Sequence, residues 1–445
     1  MSDQRAPNRS SQPHPLPLPP LTRRQLAWNQ RRNWLLAIAA TVLVVAVTAG
    51  ATACGHNGND SGNGAASAEP TKTAPKVDLS TLDIGSYDVK PRDFAGPPTL
   101  EEARNLEAFN LAQWIVSPPD VIPTLTYLNM IPVTTPALAA TSVSGNGMKV
   151  IEPVLEKHGM VTGFLLQGFP KPVSESLQNP DPALLNIMVT SFPSAEQAAQ
   201  AAAEMDATDF AVNPANVAVP IPNHPDAHAH YVPGNPTIAA TLARKATVVS
   251  ILLGDPGGTT ADLLAAGVQR ILDAEVPLLD QAVTAPEAAL TMLPIDPDHM
   301  LSRLLVKGPT PPVSASFATF KGSAVAICEG SKGIQQNLFG VAGVDRCAGS
   351  DASTVVRARD ESAAKDLLTK MVDIDTDVDH KIPSPQGVPD AICVEQKPGK
   401  WKDAPNFRFG CNVTYGRYFA SVVNGEQKDV LQAAAAQYAL LVNND

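Results

Sequence analysis

Apolar positions along this chain follow two alternating periods, and their order repeats. "TLEEARNLEAFNLAQWIV" (99–116) opens with Thr99 and Glu102 in capping-box spacing, and Leu106, Phe109, Leu111 and Trp114 recur at helical intervals. "VTGFLLQGF" (161–169) and "LLNIMVTSF" (184–192) are short apolar runs of strand type. "PSAEQAAQAAAEM" (193–205) predicts an Ala-rich helix capped by Ser194, with Gln197 as its capping-box partner. "ATLARKATVVSILLG" (240–254) predicts one or two strands, and "TTADLLAAGVQRILDAEVPLLD" (259–280) an amphipathic helix closing the unit.

The second half runs through the same order. "STVVRARDESAAKDLLTKMV" (353–372) is a strand leading into a helix, and residues 409–442 read as two strands and a closing helix. The earlier helix at 99–114 is matched with "GIQQNLFGVAG" (333–343). This order predicts an α+β fold of two related sandwich domains, each an antiparallel sheet with helices packed on one face. The boundary falls in the Pro-rich region between "LPIDPDHM" and "VKGPTPPVS", near residue 300.

The amino-terminal region has another pattern. Residues 35–53, "LLAIAATVLVVAVTAGATA", are uncharged and follow a basic pair, Arg31 and Arg32, which keeps the preceding tail in the cytoplasm. The run divides into a strongly apolar part and a small-residue part, as a cleavable signal does. "ATAC" (51–54) resembles a bacterial lipobox, with Ala51 where the motif has Leu, and this marks Cys54 for lipidation. The alternative is a single transmembrane helix over 35–53. The expected division is therefore a basic, Pro-rich tail (1–34), a signal peptide or anchor (35–54), a tether poor in bulky apolar residues (55–76), a first domain (77–300) and a second (301–445).

Charge sharpens the picture. Residues 1–34 carry +5, which leaves −16 for the rest of a chain whose net charge is −11. A body that acidic, with only 5% aromatic residues, excludes nucleic acid as a partner. The expected partners are the membrane, through the anchor, and an envelope lipid, glycan or protein.

The lipobox-like start, "VDLSTLDIGSYDVKPRDF", "AGVDRC", "TVVRARDESAA" and the ending "YGRYFASVVNGEQKDVLQAAAAQYALL" together resemble a family of actinobacterial two-domain lipoproteins. The resemblance covers nearly the whole chain after Cys54 and implies location and architecture. It implies no catalytic residue or ligand. More distantly, the disulfide-bearing α+β module is similar to the sensor domains of mycobacterial receptor kinases, without a kinase segment.

Four cysteines, Cys328, Cys347, Cys393 and Cys411, lie in the second half, and outside the cytoplasm thiols oxidise. Three pairings are open. The favoured pairs are Cys328–Cys347, joining the end of "SAVAIC" to the turn after the helix at 333–343, and Cys393–Cys411, joining neighbouring strands; no C-x-x-C spacing points to zinc or to redox catalysis.

For other chemistry, "HPDAHAH" offers His224, His228 and His230 as weak metal ligands, set against exposed loop histidines as the simpler reading. "DIDTDVDH" (373–380) begins as a calcium loop does, but Val378 replaces the turn Gly and Ser384 the bidentate Glu, so an acidic strand end or turn fits better. "GDPGGTTAD" (254–262) lacks the P-loop Lys and predicts a turn capped by Thr259 or Thr260. No nucleophile elbow or H-E-x-x-H motif is present. The expectation is therefore a surface-anchored binding module needing no cofactor. An envelope hydrolase with an unrecognised active site is the alternative.

Overall fold

The computed structural model describes residues 77–97, 99–142, 149–178, 183–255, 257, 260–375, 377–398 and 405–444. Cys54, the anchor and the tether lie outside them. The strands of the first half are β1 (Tyr127–Val133), β2 (Thr162–Phe169), β3 (Leu184–Ser191), β4 (Val217–Ala218), β5 (His228–Tyr231), β6 (Thr237–Arg244) and β7 (Thr247–Gly254). Those of the second are β8 (Ala318–Lys321), β9 (Arg346–Gly349), β10 (Ser353–Arg357), β11 (Val378–Ile382), β12 (Ile392–Gln396), β13 (Phe409–Tyr415) and β14 (Tyr418–Asn424). The long helices among the described residues are α1 (Leu100–Ala112), α2 (Ala195–Phe210), α3 (Ala261–Leu279), α4 (Glu361–Asp373) and α5 (Gln427–Asn443).

Each half is a seven-stranded antiparallel sheet, and the two orders match strand for strand: β1-β2-β3-β7-β6-β5-β4 and β8-β9-β10-β14-β13-β12-β11. In both, three strands form a meander, a helix crosses, and a four-stranded meander returns to pair its last strand with the third. The closing hairpins are also alike. Two residues separate β6 from β7, with Lys245 at φ 50°, and two separate β13 from β14, with Gly416 at φ 52°. Positive φ at that position suits the right-handed twist of the flanking strands.

The expected α+β class holds, with helices packed alongside both sheets. Their placement is fuller than one face each. In the first half α2 sets Ala198, Ala201, Ala202 and Met205 against Leu165, Met188 and Val248. α1 and α3 cover the other face, packing on Phe164, Leu166, Ile251 and Leu253. Alternate residues of β2 thus serve two cores, which is why the whole strand is buried and reads as an unbroken apolar run. The polar positions in these strands form a ladder: Asn129 donates to Gln167 at 2.7 Å, and Gln167 to Asn186 at 3.0 Å.

The repeat differs from its sequence-based form at one point. The segment at 333–343 is two short turns, Ser331–Gln336 and Leu338–Ala342, broken by Asn337 in the left-handed conformation, and it lies between β8 and β9. Its counterpart is the helical pair Pro136–Ser142 and Glu152–Lys157 between β1 and β2, so α1 has no equivalent in the second half.

That unmatched helix joins the halves. Thr99 accepts the Glu102 amide as predicted, while the Glu102 carboxylate turns away from the cap to accept the Val313 amide at 2.9 Å. Phe109 places its ring 5.8 Å from Phe164 of β2 and 5.5 Å from Phe320 of β8, edge-on to both. Residues 77–94, expected to open the first domain, lie instead along the second half. There Gln432 donates to Asp83, Asn443 to the Val89 carbonyl, and Arg92 to the Val306 and Gly308 carbonyls.

Candidate functional site

Beyond α1 the chain forms a cleft between the halves. The turn Pro118–Val121 and residues 122–126 supply one wall, and the segment linking β8 to β9 supplies the other. The cavity is about 410 Å³, within the range of small-ligand sites. Ser117, Asp120 and Thr126 line it from the first half, and Ser323, Glu329 and Asn337 from the second.

Each of these groups is placed by local backbone. Ser117 precedes Pro118 and Pro119, whose fixed φ starts a helical turn that needs no side-chain cap. Its hydroxyl is buried and has no hydrogen-bond partner among the described residues. Asp120 stands in that turn, reachable from solvent, and the surrounding protein still desolvates its carboxyl and pushes it up. Across the cleft Glu329 is buried. Its carboxyl accepts the Phe339 amide at 2.6 Å, starting the second of the two short turns. Burial pushes Glu329 up to about 7; the Phe339 and Leu338 amides oppose that rise and the Asp120 charge adds to it. The walls are tied by Gln335 donating to Thr126 at 3.2 Å and by Ser323 donating to the Gln113 and Ile115 carbonyls. Among the described residues, none that lines the cleft is a lysine, arginine or histidine. The site therefore presents acceptors and negative charge, with one carboxyl, Asp120, that pairs with no cation among the described residues.

The residues singled out in the sequence lie elsewhere. His224 pairs with Asp273 of α3 at 2.8 Å, and His228 is exposed at the start of β5. His230 is buried between two carboxylates of α2, Asp206 at 2.8 Å and Asp209 at 3.3 Å. Burial would lower the imidazole, but the two carboxylates outweigh it and hold His230 at about 9. His224 and His230 thus have separate partners and His228 stands apart from both, and no group of three or more His, Cys, Asp or Glu among the described residues could hold a metal. Asp375 accepts from Gln396 and from the Asp377 amide ahead of β11, a turn in keeping with the acidic strand end expected there. Thr260 is the N-cap of α3, and its side chain makes no capping bond. The cysteines pair as Cys328–Cys347 and Cys393–Cys411, the second across directly opposed positions of β12 and β13.

Sequence reasoning missed Asp120 and Glu329. Neither stands in a motif, and only the fold brings positions about 200 residues apart to one cleft. The available signal was the "SPPD" turn, a Pro pair beside a carboxylate.

Residues 94–295 match the family model described as the N-terminal domain of unknown function DUF7373, and residues 300–444 match its C-terminal counterpart. No curated relative matches the chain. Among solved structures, the extracellular domain of PknH from Mycobacterium tuberculosis is similar at 12% identity, over 39% of this chain and 97% of that one, with a TM-score of 0.28. At that score the likeness carries neither fold nor function.

Proposed function

The chain belongs to the DUF7373 family, and we propose that it is a membrane-anchored binding module on the extracytoplasmic face that holds a cationic segment of an envelope protein in the cleft between its halves. The observation that carries this reading is Asp120, a carboxyl without a cation in a cleft whose opposite wall adds a second carboxyl and no basic residue. A lysine or arginine entering from outside would relieve that repulsion and displace water from the pair. An anionic lipid headgroup would meet the same field with the wrong sign. Position outside the cytoplasm is supported by the two disulfides and by the signal-like residues 35–53. Lipid on Cys54 is the proposed anchor, with a helix over 35–53 as its alternative.

Calorimetric titration of the full chain with tetralysine, and with tetralysine acetylated on its side chains, tests the reading. The first binds and the second does not. Asp120→Asn weakens tetralysine by about five- to tenfold, on the order of 1 kcal/mol for a partly exposed pair. Equal binding by wild type and D120N would sink the proposal.

A further inference from the structure

A second cavity lies inside the first half, on the α2 face of the sheet. It measures about 220 Å³ and is walled by Met205 of α2, Ala239 and Thr241 of β6, and Ser250 and Leu252 of β7. Asp206, Asp209 and His230 stand at its edge with three asparagines.

His230, the two aspartates and the three asparagines at that edge each have a partner within the protein. His230 holds both carboxylates; Asn213 accepts the Ala215 amide, Asn216 donates to the Phe210 carbonyl, and Asn235 accepts from Thr237. Deeper in, the Thr241 hydroxyl donates to the Ala202 carbonyl. Ser250 is different. It is 1% exposed, stands opposite Thr241 on the α2 face, and its hydroxyl has no partner among the described residues. A hydroxyl buried without a bond is costly, and this one lines an otherwise apolar space.

The second half has the same site in closed form. Counting back from the matching hairpins places Ser421 at the position of Ser250, Asn412 at that of Thr241 and Gly410 at that of Ala239. All three line a cavity under α4, but Met371, Phe339 and Phe419 crowd it to about 70 Å³. The place between crossing helix and sheet thus recurs in both repeats and is open in the first.

We propose that the first-half cavity binds a small neutral molecule with an apolar body and one hydrogen-bonding group, which meets the Ser250 hydroxyl. A cavity of about 150 Å³ lined by apolar side chains takes benzene, so 220 Å³ accommodates a substituted ring or a short alkyl chain. The side chains that wall the cavity carry no charge to pair with a charged ligand, and the net negative charge of the Asp206–His230–Asp209 cluster repels an anion.

The test follows the Met205 methyl carbon by NMR in the full chain, in lipid nanodiscs, during titration with p-cresol, toluene and p-toluate. p-Cresol shifts the Met205 signal saturably, toluene binds roughly five- to tenfold more weakly for want of the hydroxyl, and p-toluate leaves the signal in place. In Ser250→Ala the ring still enters, and p-cresol loses its advantage over toluene. No saturable shift with any probe, p-toluate binding as well as p-cresol, or an advantage that survives in S250A would each overturn the proposal. None of these outcomes bears on the interdomain cleft, which contains no methionine.

Discussion

Three buried glutamates pin backbone around α1 and the cleft, each within its own half, and set how the protein responds to pH. Glu275 of α3 is fully buried and accepts the Val116 amide at 2.7 Å, holding the chain where it leaves α1 for the cleft. Burial pushes its carboxyl up to about 8, and the Val116 amide only partly opposes this. Glu107, raised by burial, accepts the Ala285 amide, and Glu329 is raised to about 7. An acid whose folded value lies above its unfolded one keeps its proton to higher pH in the native state than in the unfolded chain. The unfolded chain ionises first, so stability falls as pH rises from about 4.5 to the folded value. His230 acts in the same direction: its contribution is complete below about 6.5 and is lost as pH rises through about 9. Melting measured at pH 5 and pH 8.5 is therefore expected to show the higher Tm at pH 5. Glu275→Gln keeps an acceptor for Val116 and removes the titration, so it raises Tm at pH 8.5, by about 2–4 °C per kcal/mol recovered, and leaves pH 5 nearly unchanged. Loss of Tm at both pH values would show that Glu275 acts through packing instead. Little of this was legible in the sequence. "HPDAHAH" read most simply as exposed loop histidines, but His230 lies on β5, buried against two carboxylates of α2, and His224 meets one of α3, partners that no local pattern announces.

At the scale of elements, what the sequence revealed depended on burial. β2, β3, β6, β7 and the long helices are central or amphipathic, and their apolar runs stood out. The edge strands were missed. β1 contains Pro132, tolerated because the strand pairs on one side only, and β11, "VDHKI", is mostly exposed. β4 is two residues long. Residues 333–343 read as one helix because apolar spacing continues through Asn337, whose left-handed backbone divides it. α1 was recognised as a helix, but its role was not, since a capping-box glutamate gives no sign that it will bind Val313. Phe109 is where that role can be measured. Phe109→Ala removes ring contacts to both sheets at once and is expected to cost about 3–5 kcal/mol. Differential calorimetry should show the first and second halves melting at lower temperature and separating into two transitions. A single transition lowered only slightly would mean that α1 is not the joint.

For the whole molecule, the repeat order was visible in the sequence and the fold class followed from it. The junction was not visible, because it is built from α1, the strap at 77–94 and the Pro turn, none of which recurs. The proposed anchor is a statement about residues 35–54 and is tested on the intact chain. The mass of membrane-extracted protein should correspond to a start at Cys54 carrying lipid, and retention of residues 1–53 would support the helical anchor instead. The central claim is that both halves form one site for a cation. Hydrogen–deuterium exchange of the full chain with and without tetralysine tests it most directly. The account predicts slowed exchange in 117–126 and 322–344 together, lost in Asp120→Asn. Protection confined to one of these segments, or unchanged exchange in both, would contradict it.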